Sequence, residues 1–271
     1  MIDSNYLHAV GVIGGLSHES SDGYSAGIHN LVNQALGGLN NAELIQRDVN
    51  FAEVREDMLA GDWSGISEFL SNMADSLTFI GAEYVAVASN TVHKIAPMIE
   101  ARIGGDRFIH IADCIGQRCV ELIDGNRAKY PKMYSKDEPR RVLLLGTLET
   151  MEGDSIRSRL EGYGLEISIP GQLERTVLND RIFNEFCHGE ITDDAQKWYL
   201  HMIQDALTLQ PVDAVVLGCT ELPLIYCEAE LQKLLAMLQA NGDRPLSVVD
   251  SKQAHIAGLA KACLGQWKVS D

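Results

Sequence analysis

An open α/β fold with parallel sheets is the class this sequence predicts, on three observations. Short apolar runs alternate with helix-length amphipathic segments. Several of those runs stop at a small residue and then a hydroxyl or thiol: Val87-Ala88-Ser89, Leu145-Gly146-Thr147 and Leu217-Gly218-Cys219. The layout also occurs twice, with strand ends at Gly14 and Ser89 in one half and at Gly146 and Cys219 in the other. A β-α-β-α order of this kind calls for a parallel sheet covered by helices on both faces.

Taken in order, residues 9–15 read as an opening strand that runs into a glycine pair. Leu16-Ser17-His18-Glu19-Ser20-Ser21 places capping-type serines ahead of a helix to about Leu36. A glycine-rich loop after a first strand raises dinucleotide binding, but Gly11, Gly14 and Gly15 lack the GxGxxG spacing. The helix start can still receive a carboxylate. Residues 43–51 read as a second strand, and 53–59 as a loop or short helix. A helix over 64–80 follows from Ile66, Phe69, Leu70, Met73, Leu77 and Ile80 at helical spacing. Residues 83–88 form a third strand ending at Ser89, a helix begins near Val92, and 108–112 is a fourth strand.

The polar stretch at about 124–141 reads as an exposed loop. The second run opens with a strand at 141–145, and a short strand follows at 165–169. Helices cover 174–188 and 192–209. The strand at 213–217 is four apolar residues bounded by turn formers. Gly218 allows a sharp turn and close approach to a ligand. Cys219 and Thr220 then sit at the carboxyl end of the strand, where open α/β sheets place their chemistry. A last strand at 246–250 and a helix at 251–264 complete the chain.

With 22 basic against 38 acidic residues, the net charge of −16 argues against nucleic acid, which needs clustered Lys and Arg. No apolar run approaches the ~20 residues that span a bilayer. Met1-Ile2-Asp3-Ser4-Asn5 has neither a basic nor an apolar leader region, so no signal peptide is expected and the cytoplasm is the expected location. The six cysteines lie at 114, 119, 187, 219, 227 and 263, without a CxxC pair. That scatter suits neither a zinc framework nor a disulfide scaffold. No His, Asp, Glu or Cys cluster has metal-ligand spacing, and no metal is expected.

Three stretches, Gly14 to Ser20, Ser89-Asn90-Thr91-Val92-His93-Lys94 and Gly218-Cys219-Thr220-Glu221, together resemble the aspartate/glutamate racemase family. Phe108 to Asp113 and Leu145-Gly146-Thr147 match its pattern too, so the similarity covers nearly the whole chain. The resemblance implies two pseudo-symmetric, Rossmann-like three-layer α/β domains with the active site in the cleft between them. The expected division is 1–112 plus 251–271 and 113–250. It also implies a homodimer and chemistry without a cofactor, in particular without PLP: one thiolate takes the α-proton of an amino acid and a second thiol reprotonates the opposite face. Cys219 matches the second cysteine. Asn90, Thr91 and Thr220 match positions that hold the α-carboxylate, and Leu16, Ser17 and Thr147 stand in the matching motifs as further substrate contacts. His93 either orients or protonates residue 89, or is structural. Glu221 either interacts with the Cys219 thiol or caps the next helix.

The chain departs from the family pattern in two places. Ser89 stands where most members carry the first catalytic cysteine. A hydroxyl is a far weaker acid and base than a thiol unless a neighbour activates it, although some members carry one there. A racemase with unequal rates in its two directions, an enzyme using Cys219 alone, and a Cys→Ser replacement that traps the site all remain open. Decarboxylation with one cysteine as proton donor, as in the related arylmalonate decarboxylases, is a second enzymatic reading, and a non-catalytic carboxylate binder a third. The other departure is Met58 and Val177, where members specific for acidic amino acids place polar or basic residues. Two apolar residues cannot pair a side-chain carboxylate, so a substrate other than Asp or Glu is expected, with Arg55 and Arg175 as neighbouring cations.

Overall fold

Among the described residues seven parallel strands sort into two sheets, ordered β2 (Leu44–Asp48), β1 (Val10–Gly14), β3 (Tyr84–Val87) and β5 (Leu165–Ser168), β4 (Arg140–Leu145), β6 (Ala214–Leu217), β7 (Ser247–Asp250). The computed structural model describes residues 6–238, 240, 241 and 244–268, apart from the side chains of 18–20. Residues 1–5, where no leader is expected, and the capping serine Ser20 lie outside what is described. Two compact units emerge, one of residues up to Cys114 with those from Lys252, the other Ile115–Ser251.

The first unit contains β1 (Val10–Gly14), α1 (His18–Leu36), β2 (Leu44–Asp48), α2 (Phe51–Ala60), α3 (Trp63–Phe79), β3 (Tyr84–Val87), a 3₁₀ turn at Thr91–Ile95, α4 (Ala96–Ile103) and the start of α5 (Ile111–Lys129). β1 is central, with Val10 opposite both Leu44 and Tyr84. Its buried face packs with β3 on α3 and α4 through Ile13, Val85, Val87, Ile66, Leu70, Leu77 and Ile99. The second strand stops at Asp48 because Asn50 caps α2, its side chain accepting the Ala52 N–H. Residues 51–60 are therefore a full helix.

A fourth strand at 108–112 does not form. Phe108 makes one isolated parallel bridge to Val85, and the chain enters α5 at Ile111. The reason is local. The first helical N–H groups have no partner inside a helix, and here two imidazoles accept them. His93 Nε2 takes Ile111 N–H and His110 Nδ1 takes Ala112 N–H, each at 3.1 Å. A periodicity reading of 108–112 cannot see either partner.

The second unit continues α5 and adds β4 (Arg140–Leu145), α6 (Leu148–Glu152), α7 (Asp154–Gly162), β5 (Leu165–Ser168), α8 (Gln172–Asn184), α9 (Asp193–Leu209), β6 (Ala214–Leu217), α10 (Glu228–Met237) and β7 (Ser247–Asp250). Then α11 (Ser251–Cys263) belongs to the first unit from Lys252 onward. Leu143, Leu145, Val215 and Leu217 pack on α8, α9 and α10, and Val142, Leu144, Ala214 and Val216 are equally buried on the other face. Burial on both faces explains why these strands read as unbroken apolar runs.

The loop expected over 124–141 is shorter and better anchored than its composition suggests. α5 extends to Lys129, and the Arg127 guanidinium donates to the Glu138 and Pro139 carbonyls at 2.7 and 2.8 Å. The same group pairs at 3.0 Å with Asp213, which is almost fully buried at the start of β6. Ionic groups at this edge are thus structural, holding the loop against the sheet. α5, α6, α7 and α10 are helices that the sequence reading did not place.

Also in the first unit, His255 of α11 is fully buried. Its Nε2–H donates to the Ile109 carbonyl at 3.0 Å, which leaves Nδ1 to accept the Tyr24 hydroxyl at 2.9 Å. Burial lowers this imidazole to about 4, against a usual 6.5. The unfolded chain therefore binds a proton more readily than the folded one, and folding stability falls as pH drops from 6.5 towards 4. The contribution lost is about 3 kcal/mol. Chemical denaturation across this range is expected to show a flatter acid branch in His255→Gln than in the parent. Parallel branches would refute the assignment.

Candidate active site

Within each unit, the carboxyl ends of the central strands carry most of the residues singled out from sequence. In the first unit Ile13 lies opposite Val87, and the Ala88 N–H bonds to the Ile13 carbonyl at 2.9 Å. That pairing places Gly14 to Ser17 and Ser89 to Thr91 on one sheet edge. Gly15, at φ 75°, makes the turn, and a side chain there would meet the Val49 backbone. Ser17 has φ 126°, a strained value for a residue with a side chain, and among the described residues no other non-glycine shares a positive φ. Ser21 Oγ braces this turn, donating to the Ser17 carbonyl at 3.1 Å and accepting the Gly15 N–H at 2.6 Å. Leu16 is packed into the core of this unit with Ile13 and Val54, so its side chain serves packing.

Ser89 is half-buried, with its N–H on the Val87 carbonyl at 2.9 Å. Among the described residues none hydrogen-bonds the Ser89 hydroxyl. Asn90 beside it is buried and Thr91 half-buried. His93 does not face the hydroxyl as an acid or base. Its Nδ1 meets the Ser89 carbonyl at 2.5 Å and its Nε2 accepts the Ile111 N–H. Both ring nitrogens are engaged by main chain.

In the second unit Leu145 lies opposite Leu217, and Leu217 opposite Asp250. The Gly218 N–H donates to the Leu145 carbonyl at 2.7 Å. A Cβ on Gly146 would lie 2.7 Å from the Gly218 carbonyl, and one on Gly218 2.6 Å from that of Leu145. Each glycine is required by the backbone beside the other, which accounts for the repeated strand–glycine endings. Thr147 caps α6, accepting the Thr150 N–H at 3.3 Å, and meets the Thr150 hydroxyl at 3.1 Å.

Cys219 follows Gly218 and is buried. Its thiol donates to Glu221 Oε2 at 2.9 Å, and the Thr220 hydroxyl donates to the same oxygen at 2.9 Å. Burial first, and then the charge of Glu221, push the thiol well above its ordinary value. Cys219 is therefore held protonated, with a proton acceptor already in contact. Of the two readings for Glu221, the geometry favours the thiol partner. The capping box of α10 uses Cys227 and Glu230 instead.

Residues 13–259 match the family model for Asp/Glu/Hydantoin racemase. The chain belongs to this family. It is accordingly an isomerase. Among solved structures, a candidate Asp/Glu racemase from Yersinia pestis is 32% identical with a TM-score of 0.75, and the match covers 95% of this chain and 100% of that one. An aspartate racemase homologue from Pyrococcus horikoshii is 28% identical with a TM-score of 0.67, covering 95% and 99%. A glutamate racemase from Francisella tularensis, solved with D-glutamate, shares the fold at 12% identity and a TM-score of 0.53, covering 92% and 78%. Two parallel sheets flanked by helices are thus what this chain has in common with two-domain racemases.

Within this family member the side-chain pocket candidates divide. Met58 on α2 packs partly against the core of its unit, three residues from half-buried Arg55. Val177 on α8 is half-buried. Arg175 is committed elsewhere, with Nε on Glu152 and Nη1 on the Pro170 carbonyl, at 2.8 and 2.7 Å. Three polar groups escaped the sequence reading. Asp48 ends β2, and its carboxylate lies against Gly14 in contact with Gln46 Nε2 at 3.1 Å. Asp250 ends β7 in register with Leu217. Tyr199 of α9 is fully buried in the cluster that includes Cys219, its hydroxyl without a hydrogen-bond partner among the described residues. Asp48 and Asp250 were legible as strand-terminal carboxylates, whereas Tyr199 carried no signal beyond helical periodicity.

Glu221→Gln removes the charge that helps hold Cys219 protonated, leaving burial in place. A titration of thiolate ultraviolet absorbance, with Cys219→Ala as the blank, is expected to show ionisation at lower pH in the variant. An unchanged or higher titration would mean that the carboxylate does not act on the thiol.

Proposed function

We propose that this racemase-family chain inverts the α-carbon of an amino acid without PLP, with Cys219 as one acid/base and Ser89 at the opposite position. The observation that carries the reading is the Cys219–Glu221 contact of 2.9 Å. A buried thiol is a poor base while it keeps its proton. Glu221 can accept that proton as the sulfur takes the α-hydrogen, and the Ser89 hydroxyl then protonates the opposite face of the α-carbon. Water carries the Glu221 proton to the Ser89 oxygen to reset the site. The Thr220 hydroxyl fixes the carboxylate for this exchange. Holding the substrate carboxylate with Asn90, Thr91 and the main-chain N–H of Thr220 would stabilise the charge that grows as the α-proton leaves.

Ser89 brings no partner of comparable strength to its hydroxyl, so the two directions are expected to run at unequal rates. A substrate other than Asp or Glu is favoured by Met58 and Val177 and by the engagement of Arg175 with Glu152. Homodimeric assembly and a cytoplasmic location belong to the same proposal. Among the described residues no helix is long and apolar enough to cross a membrane. The second reading is single-cysteine chemistry such as decarboxylation, in which protonated Cys219 supplies a proton to one face. The Ser89 hydroxyl, without a hydrogen-bond partner among the described residues, favours it, as does the raised thiol.

Exchange of the α-hydrogen in deuterated water, followed by NMR over L- and D-amino acids and 5-substituted hydantoins, separates these readings. The racemase reading expects exchange in both enantiomers with inversion. It also expects a loss of roughly 100- to 10,000-fold in Cys219→Ala, the usual worth of a positioned acid/base. Exchange without inversion would give the site to Cys219 alone. Ligand binding unchanged in Cys219→Ala, with no exchange in the parent, would leave a binder.

A further inference from the structure

Besides the Cys219 pair of the second unit, the first unit holds a polar cluster that the proposed chemistry does not use: His93, His110 and His255, all buried. Their rings lie in contact, with His93 4.5 Å from His110 and 5.9 Å from His255 between centroids, and Phe108 5.7 Å from His93. Enclosed by three rings, His93 has a fixed plane. Its hydrogen bonds then fix its proton. The Ile111 N–H can only donate, so Nε2 is bare, and the Ser89 carbonyl can only accept, so Nδ1 carries the hydrogen. His93 is thereby a neutral two-ended bridge from the main chain of residue 89 to the first residue of α5.

We propose that His93 is a positioning residue for Ser89, setting the height and direction of the residue 89 side chain by holding its carbonyl against the start of α5. The inference rests on the racemase reading for its functional consequence and on hydrogen-bond geometry alone for the clamp. Ser89 follows β3 by two residues and its hydroxyl has no described partner of its own. Its placement then comes from its backbone: the N–H on Val87 and the carbonyl on His93. A main chain that is free to rotate at the carbonyl would carry the hydroxyl out of line. Misplacement by about 1 Å can cost on the order of 100-fold in rate. Cys219 is held by its own contacts in the other unit and has no share in this bridge.

The test compares α-hydrogen exchange of both enantiomers in the parent, Ser89→Ala, Cys219→Ala, His93→Gln and His93→Phe. Ser89→Ala identifies the enantiomer that depends on residue 89. In the His93 variants exchange of that enantiomer is expected to fall by roughly 10- to 100-fold, with the Cys219-dependent enantiomer little changed. His93→Gln, which keeps a donor and an acceptor, is expected to retain more than His93→Phe. Equal losses in both enantiomers, or none in either, would overturn the positioning role. Long-range nitrogen–proton NMR of the His93 ring in the parent is independent of turnover. A hydrogen on Nδ1 is expected, and a hydrogen on Nε2 would overturn the clamp. A parent that exchanges neither enantiomer while showing the Nδ1 hydrogen refutes the racemase reading and leaves the clamp standing.

Discussion

Close backbone approach at the carboxyl ends of parallel strands is the constraint on which the site geometry depends. Where β4 and β6 end, the Gly218 N–H reaches the Leu145 carbonyl and leaves no room for a side chain on Gly146 or Gly218. The chain must turn immediately afterwards, and the turn delivers Thr147 after one strand and Cys219 after the other. In the first unit the Gly15 turn and the bond from Ala88 to Ile13 do the same for Ser17 and Ser89. The residues proposed to carry the chemistry follow these ends, where the ladder stops and the next residues are released from it.

Two opposing electrostatic effects act on Cys219. Main-chain N–H groups and a bound anion's partners would favour a thiolate, whereas burial and a carboxylate favour the thiol. Here the second pair wins, since the thiol is buried and donates to Glu221, whose charge also acts on it. The outcome is a poised proton and not a standing nucleophile. The cost of burying Glu221 is offset by two donors on one oxygen, from Cys219 and Thr220.

Among the described residues the buried histidines His93, His110 and His255 serve main chain. His93 and His110 accept the opening N–H groups of α5, and His255 joins the Tyr24 hydroxyl to the Ile109 carbonyl. A neutral imidazole is suited to this because it offers one donor and one acceptor on a rigid ring. Such use also explains why a chain with a strand-like apolar stretch at 108–112 turns into a helix at Ile111. The termini of β3 and α5 are joined by a side chain, which local propensity does not report.

By itself the sequence determined the parallel α/β class, the approximate limits of β1, β3, β4, β5, β6 and β7, and the position of Cys219 after a strand and a glycine. These come from nearest-neighbour chemistry: apolar runs, glycine at the turn, capping residues before a helix. Its family motifs also pointed to a racemase. Tertiary structure decided what depends on residues far apart in the chain. It made Leu16 core, Thr147 a cap and Arg175 an ion-pair partner, and it took both nitrogens of His93 out of acid–base service. It also brought Tyr199, twenty residues before Cys219, into the same buried cluster. Hydrogen-bond partners are chosen by packing, and packing is a property of the folded chain as a whole.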